Sequence, residues 1–260
     1  RHMSDERNDK SITIGRHLDE LRSRVTKSVL AVVITTAVAF LFHEQLLTVL
    51  MEPARGFAQI PNNKPIYTEL TEFIGIAFKV SLLAGVFLSL PFVLYQIVMF
   101  VAPGLTPGER RYLYILLPAA VLAFAAGATF GHQVMFPPAV RFLLTFGSDI
   151  ATPYIRIGNY TNLMLTLLLW MGLVFETPIV TFFLAKIGVV TGDWLAKQRK
   201  YALVASFVLG AIITPTFDPI NQTIVAIPIL VMYELGIWLA KLGGRGRKKA
   251  AQELSSGAES

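Results

Sequence analysis

A few carboxylates stand in surroundings that are otherwise apolar or basic, and these are the places where chemistry could happen. In the run HLDELRSR, Glu20 is flanked at i−4 and i+4 by Arg16 and Arg24, with Arg22 between. On a helix this spacing makes a surface ion pair worth about 0.2 to 0.5 kcal/mol. It also presents a carboxylate able to take a guanidinium through two parallel charge-assisted hydrogen bonds, a fork that a lysine ammonium cannot match. Glu109 stands similarly beside Arg110 and Arg111, after the turn residues Pro103, Gly104 and Pro107. Taken singly, each acid reads as a solvated charge. Together they place isolated carboxylates on a basic surface, as a receptor for a cationic peptide needs.

Glu176, in LVFETPIV, is of another kind, because it falls well inside an apolar run. A charge there costs at least about 2.5 kcal/mol on insertion scales, so the acid is neutral, partnered or in a wet cavity. It reads either as an interhelical hydrogen bond or as a functional group. Pro178 follows it and frees a carbonyl one turn earlier, so a kink beside the acid is expected. Glu234 and Lys79 lie nearer the ends of their apolar runs, where snorkelling or packing accounts for them.

Other chemistries are absent from the pattern. There is no cysteine, which removes disulfides, thiolate catalysis and Cys-ligated metals. No GxxxxGK[ST] phosphate loop and no HExxH pair occur, and the single aspartate near the membrane between apolar runs, Asp218, makes no dyad. Nothing calls for a cofactor or a nucleic-acid partner, and an enzymatic reading is weak.

The elements that position these acids are membrane spans. With 54% hydrophobic and 15% charged residues the chain is far from the roughly 25% charge of a soluble domain, and its mean hydropathy is +0.58. Apolar runs predict six spans: Val25 to about Phe42, Phe73 to Val101, Arg111 to Phe136, Tyr160 to Ile187, Tyr201 to Ile213 and Thr223 to Ala240, with Pro137 and Pro138 ending the third. The last two are short. The fifth reaches roughly 20 Å against a hydrocarbon core of roughly 30 Å, so the bilayer beside it is expected to thin.

Lys and Arg cluster in the N-terminal segment, the Pro-Gly turn, the loop from Lys186 to Lys200 and the C-terminal tail. The remaining loops hold only Arg55, Lys64, Arg141 and Arg156. This bias predicts both termini in the cytoplasm, and Tyr112, Trp194, Tyr201 and Trp238 fall at the same boundary. Ile14, Leu18, Leu21 and Val25 recur at helical spacing and predict an interfacial amphipathic helix ahead of the first span. The expected organisation is a cytoplasmic N-terminus over 1–24, an all-α transmembrane domain over 25–240 forming a kinked, concave bundle, and a disordered basic tail over 241–260 that touches anionic lipid.

From about Ile12 to Lys241 the order of these features resembles the TatC family. HLDELRSR resembles its N-terminal signature, LPFVLYQIVMFVAPGLTPGERR its second-span end and first cytoplasmic loop, and FETP its fourth-span motif. TPTFDPINQTIVAIP resembles the link between its last two spans, with Pro215-Thr216-Phe217-Asp218 where the family commonly has Pro-Pro-Asp. The resemblance implies a bacterial inner-membrane receptor for twin-arginine signal peptides of folded cargo. It would assemble in several copies with single-span TatA- and TatB-type subunits and draw on the proton motive force. On that reading Glu20 and Glu109 bind the paired arginines, with Phe100 and Arg22 beside them. Glu176 offers a polar partner to a TatA- or TatB-type helix, Asp218 and Gln222 fall in the linking stretch, and Pro53 rigidifies the first periplasmic loop. The alternative from another class is a proton-coupled small-solute transporter with Glu176 as relay, but no internal repeat supports it.

Overall fold

The computed structural model describes residues 2–56, 65–101, 107–146, 148–150, 154–214 and 218–256; the side chains of 2–17, 55, 56, 98, 101, 107–110, 113 and 245–256 lie outside the description. It is all-α. Helix α1 (His2–Leu41) leads into α2 (His43–Met51) and a 3-10 turn, Glu52–Gly56. Then come α3 (Glu72–Val101), α4 (Pro107–Phe130), a π turn (Gly131–Met135) and α5 (Phe136–Thr145). The chain closes with α6 (Ile157–Lys186), α7 (Gly192–Lys197), α8 (Arg199–Ile213) and α9 (Pro219–Ser256).

Among the described residues five stretches are long and apolar enough to cross a membrane: Leu18–Leu41, Glu72–Ile97, Tyr114–Thr145, Ile157–Lys186 and Pro219–Gly244. Their outer faces carry half-exposed aliphatic residues such as Val29, Val33, Leu82 and Leu122, which in a multi-pass protein face lipid. Helix α8, which covers the segment expected to be a short fifth span, has 15 residues, about 22 Å, and is not among these five stretches.

α1 packs antiparallel on α3. Thr35 Oγ1 donates to the Gly85 carbonyl at 2.7 Å, and Phe40 stacks on Phe78 with centroids 4.7 Å apart. A Cβ on Gly85 would lie 2.2 Å from Thr36 Oγ1, so glycine permits this approach. The second group is centred on α6, which buries Met164, Leu167 and Met171 completely along one face. Gly127 of α4 and Gly131, which follows it in the π turn, meet α6 where an added Cβ would fall 2.4 Å and 3.0 Å from the Met171 and Leu167 carbonyls. This is the small-xxx-small contact of membrane helices, in which close backbone packing replaces a hydrophobic driving force that lipid cannot supply. α9 packs on the other side of α6, with Thr181 Oγ1 donating to the Gly236 carbonyl at 3.2 Å. Between the α1–α3 pair and the α4–α6 group lies an apolar hollow of ≈ 700 Å³ lined by Val38, Phe42, Leu83, Phe87, Phe124 and Leu168, the concavity of the bundle.

The structure departs from expectation at several helix ends. Pro137 and Pro138 do not end the third span, which continues to Thr145. The π turn shifts the register, with the Phe136 N–H bonding the Gly131 carbonyl, and both prolines enter the first turn of α5, where no N–H is required. The amphipathic segment before the first span is not a separate surface helix, because α1 runs unbroken from His2 to Leu41. Its Leu, Arg, Lys and Glu content favours helix and no glycine or proline interrupts Arg16–Leu41. The sixth span is not short, since α9 starts at Pro219 and its apolar stretch reaches Gly244. The tail expected to be disordered remains helical to Ser256, its Arg-Lys-Lys-Ala-Ala-Gln-Glu-Leu run being a strong helix former.

Candidate functional site

The end of the bundle where α3 stops and α4 starts carries the first acid. Glu20 Oε1 accepts from Arg24 Nε at 2.9 Å and from Nη2 at 2.6 Å, the i,i+4 pair that the spacing predicts. Arg24 also reaches across to α3, its Nη1 donating to Gln96 Oε1 at 3.2 Å. Gln96 is buried, whereas the side chains of Arg24 and Glu20 keep 20% and 35% of their surface. That exposure limits the pair to a few tenths of a kcal/mol. It leaves Glu20 Oε2 with no donor among the described residues.

Phe100 is half-buried one turn beyond Gln96, in the last turn of α3. Glu109 is the third residue of α4, where the helix macrodipole favours a carboxylate. Its side chain lies outside the described residues. Arg22 is exposed and, two residues from Glu20, points about 200° around α1, so the structure does not bring it into this cluster.

Glu176 lies near the middle of α6, one turn after Gly172, which packs against the Phe124 ring of α4. Its Oε1 is buried with no hydrogen-bond partner among the described residues. A buried carboxyl oxygen left unpaired is costly, so this acid carries a demand for a donor that its own bundle does not meet.

Asp218 and Gln222 meet needs of the α8–α9 hairpin. Asp218 Oδ1 accepts from the Asn221 N–H at 2.7 Å and Oδ2 from Asn221 Nδ2 at 3.1 Å, capping the first turn of α9. Gln222 Nε2 donates to the Phe207 carbonyl of α8 at 2.7 Å. Pro53 is half-buried in the 3-10 turn beside the fully buried Ala54. Lys79 and Glu234 both find partners: Lys79 Nζ donates to Asn162 Oδ1 at 3.0 Å, and Arg199 forks onto Glu234 at 2.6 Å and 2.8 Å.

One group of residues escaped the reading of the sequence. At the end where α3 and α6 begin, Arg156 Nη2 bonds Glu69 Oε1 at 3.1 Å and Glu72 Oε2 at 3.3 Å, and these bonds, the one to Glu72 first, hold its guanidinium above its usual range. Glu72 also accepts from the Thr68 and Gly158 N–H groups at 2.9 Å and 3.0 Å. Ile66 bridges Ile155 and Ile157 through backbone bonds of 3.0 Å and 2.7 Å. Eighty-four residues separate Glu72 from Arg156, and no local spacing announces the pairing.

Residues 16–228 match the family model of the Sec-independent protein translocase protein TatC. The TatC protein of Carboxydothermus hydrogenoformans is 39% identical over 233 residues, spanning 90% of this chain and 94% of its own length. That of Aquifex aeolicus is 39% identical, spanning 91% and 98%, and the chloroplastic TATC of Arabidopsis thaliana is 35% identical, spanning 91% and 68%. A crystal structure of a twin arginine translocase receptor, TatC, superposes with a TM-score of 0.78 at 38% identity, over 87% of this chain and 99% of that one. Nothing in these likenesses favours the solute-transporter alternative. The shared sequence, the shared helical architecture and the apolar spans lead to one conclusion: this chain belongs to the TatC family, a multi-pass membrane component of the Sec-independent, twin-arginine protein translocase.

Proposed function

We propose that this chain is the receptor subunit of its translocase and takes the twin-arginine signal peptide of folded cargo at the end of the bundle built by Glu20, Gln96, Phe100 and the first turn of α4. The observation that carries the reading is the Glu20 carboxylate. One oxygen already holds a guanidinium, that of Arg24, the other has no donor among the described residues, and the side chain keeps 35% of its surface, which suits the carboxylate to an arginine from outside. Glu109, at the start of α4, supplies the second acid for the second arginine, and Phe100 packs beside the peptide. Arg22, on another face of α1, acts only through the surrounding field.

In this reading the receptor end faces the cytoplasm, as do both termini. Six spans, with α8 the fifth, cross the bacterial inner membrane. Glu176 takes its missing donor from a TatA- or TatB-type helix, Asp218 and Gln222 present the α8–α9 hairpin to such a subunit, and Pro53 stiffens the opposite loop. The assembly is hetero-oligomeric, and transport is driven by the proton motive force. The reading is supported by the basic loops, by the unpaired Glu176 oxygen and by the likeness to a crystallised twin arginine translocase receptor.

The test is binding of a synthetic Arg-Arg signal peptide and its Lys-Lys twin to the protein in nanodiscs. The Arg-Arg peptide should bind at least about tenfold more tightly, and Glu20→Ala or Glu109→Ala should remove the preference. Equal, weak binding of both peptides would refute the receptor role.

A further inference from the structure

A second hollow, of ≈ 610 Å³, opens between α5, the first turns of α6 and the end of α8. Its walls are apolar, formed by Leu143, Leu144, Leu163 and Ile213, but its edge is polar, with Arg156, Asn159 and Asn162. Those polar groups are mainly unmatched donors. Arg156 Nε is buried and meets no acceptor among the described residues, although Nη2 is taken by Glu69 and Glu72. Asn162 accepts from Lys79 through Oδ1, which fixes its amide so that Nδ2 offers its hydrogens outward. Asn159 is exposed, and its side chain has no partner among the described residues. Lys79 lies behind Asn162 as a second cation; Glu69 and Glu72 are the acids facing Arg156, and Glu72 is further tied to two backbone N–H groups.

Depth brings a membrane lipid to this edge. α8, at about 22 Å, is shorter than an undisturbed hydrocarbon layer of about 30 Å, and Ile213, its last residue, lines the hollow. Lipids beside α8 must therefore thin so that their headgroups stand level with the hollow. The hollow then has an apolar wall for an acyl chain and a donor edge, flanked by two cations, for a phosphodiester. The apolar hollow between α3 and α4 lacks such an edge of cationic donors, and its charged lining residue, Glu52, is an acid.

We propose that this hollow is a binding site for one anionic phospholipid, with its phosphodiester on Asn159, Asn162 and Arg156 and one chain against Leu143 and Ile212. A bound lipid there ties the end of α8 to α6 and makes the thinned bilayer a resident feature of the protein.

The experiment is native mass spectrometry and thermal melting of the full chain in detergent, titrated with phosphatidylglycerol, with phosphatidylcholine of the same chains, or with inorganic phosphate. Phosphatidylglycerol should be retained at one copy and raise Tm; phosphatidylcholine should be retained about tenfold less, and inorganic phosphate should do nothing. N159A, and separately L143W, which fills the wall from a partly exposed position, should each lose the retained copy while melting, without lipid, as the parent does. R156K keeps a charge near Glu69 and Glu72 but removes the guanidinium donor, and it should weaken retention of phosphatidylglycerol. Equal retention of the two lipids, a shift with inorganic phosphate alone, or undiminished retention in both N159A and L143W would overturn the proposal.

Discussion

The body of this bundle and the end where α1 meets α3 are held together in opposite ways. Around α6, glycines let helices meet closely: a methyl group on Gly127 of α4 would fall 2.4 Å from the Met171 carbonyl, one on Gly131 just beyond it 3.0 Å from the Leu167 carbonyl, and one on Gly236 of α9 2.8 Å from Thr181 Oγ1. Met164, Leu167 and Met171 are wholly enclosed there. At the end of α1 and α3, beyond the close contact at Gly85, the polar link among the described residues is the half-exposed run Glu20 to Arg24 to Gln96. The first arrangement is hard to change and costly to disturb. The second is half-exposed and leaves one Glu20 oxygen without a donor among the described residues, which suits a surface that must exchange its own arginine contact for another.

The contrast sets the scale of the expected effects. Gly127→Leu should be the most damaging change, because its Cβ alone would lie 2.4 Å from the Met171 carbonyl and the added side chain has nowhere to go. Loss of about 3 kcal/mol or more is expected, seen as a collapse of Tm and of monodisperse protein in detergent. Gly75→Ala, where a Cβ meets nothing within 4 Å, is the matched control and should melt as the parent or slightly higher. A Gly127→Leu protein of unchanged Tm would mean that α4 and α6 are not packed as described.

Smaller effects follow at the exposed pairs. Arg24→Ala removes the internal competitor from Glu20 and should tighten Arg-Arg peptide binding about twofold, the value of an i,i+4 pair, without lowering Tm by more than a degree or so. Weaker binding would show that Arg24 orients Glu20 rather than competing for it. Glu234→Gln breaks the fork from Arg199 between α9 and α8, whose side chains keep 43% and 54% of their surface. Its cost should be under about 1 kcal/mol, measurable as a slight loss of thermal stability that high salt reproduces in the parent.

Much of this architecture could be read from the residues in order. Apolar runs bounded by Pro103, Gly104 and Pro107 or by charged loops located the spans, and the i,i+4 spacing around Glu20 foresaw its contact with Arg24. What was hidden depended on partners distant in sequence or on an unusual hydrogen-bond register. Pro137 and Pro138 signal a helix end to any local rule, and only the π turn before them lets the helix continue. Gly127 and Gly131 have the right spacing for a helix contact, but their partners, Met171 and Leu167, stand far along the chain on α6. Gln96, between two apolar runs of α3, gave no sign that it would receive Arg24 from α1. The clasp of Arg156 with Glu69 and Glu72 joins loops whose proximity depends on the packing of α3 against α6.

If Glu20 itself recognises a signal-peptide arginine, a double-mutant cycle shows it most directly. Binding would be measured for the parent and for Glu20→Ala, each with a signal peptide carrying Arg-Arg and with versions in which one arginine or the other is lysine. For one of the two arginines the losses should not add, and a coupling of about 1.5 kcal/mol, roughly tenfold in affinity, should remain. Strict additivity for both arginines would contradict direct recognition and leave Glu20 as no more than the surface partner of Arg24.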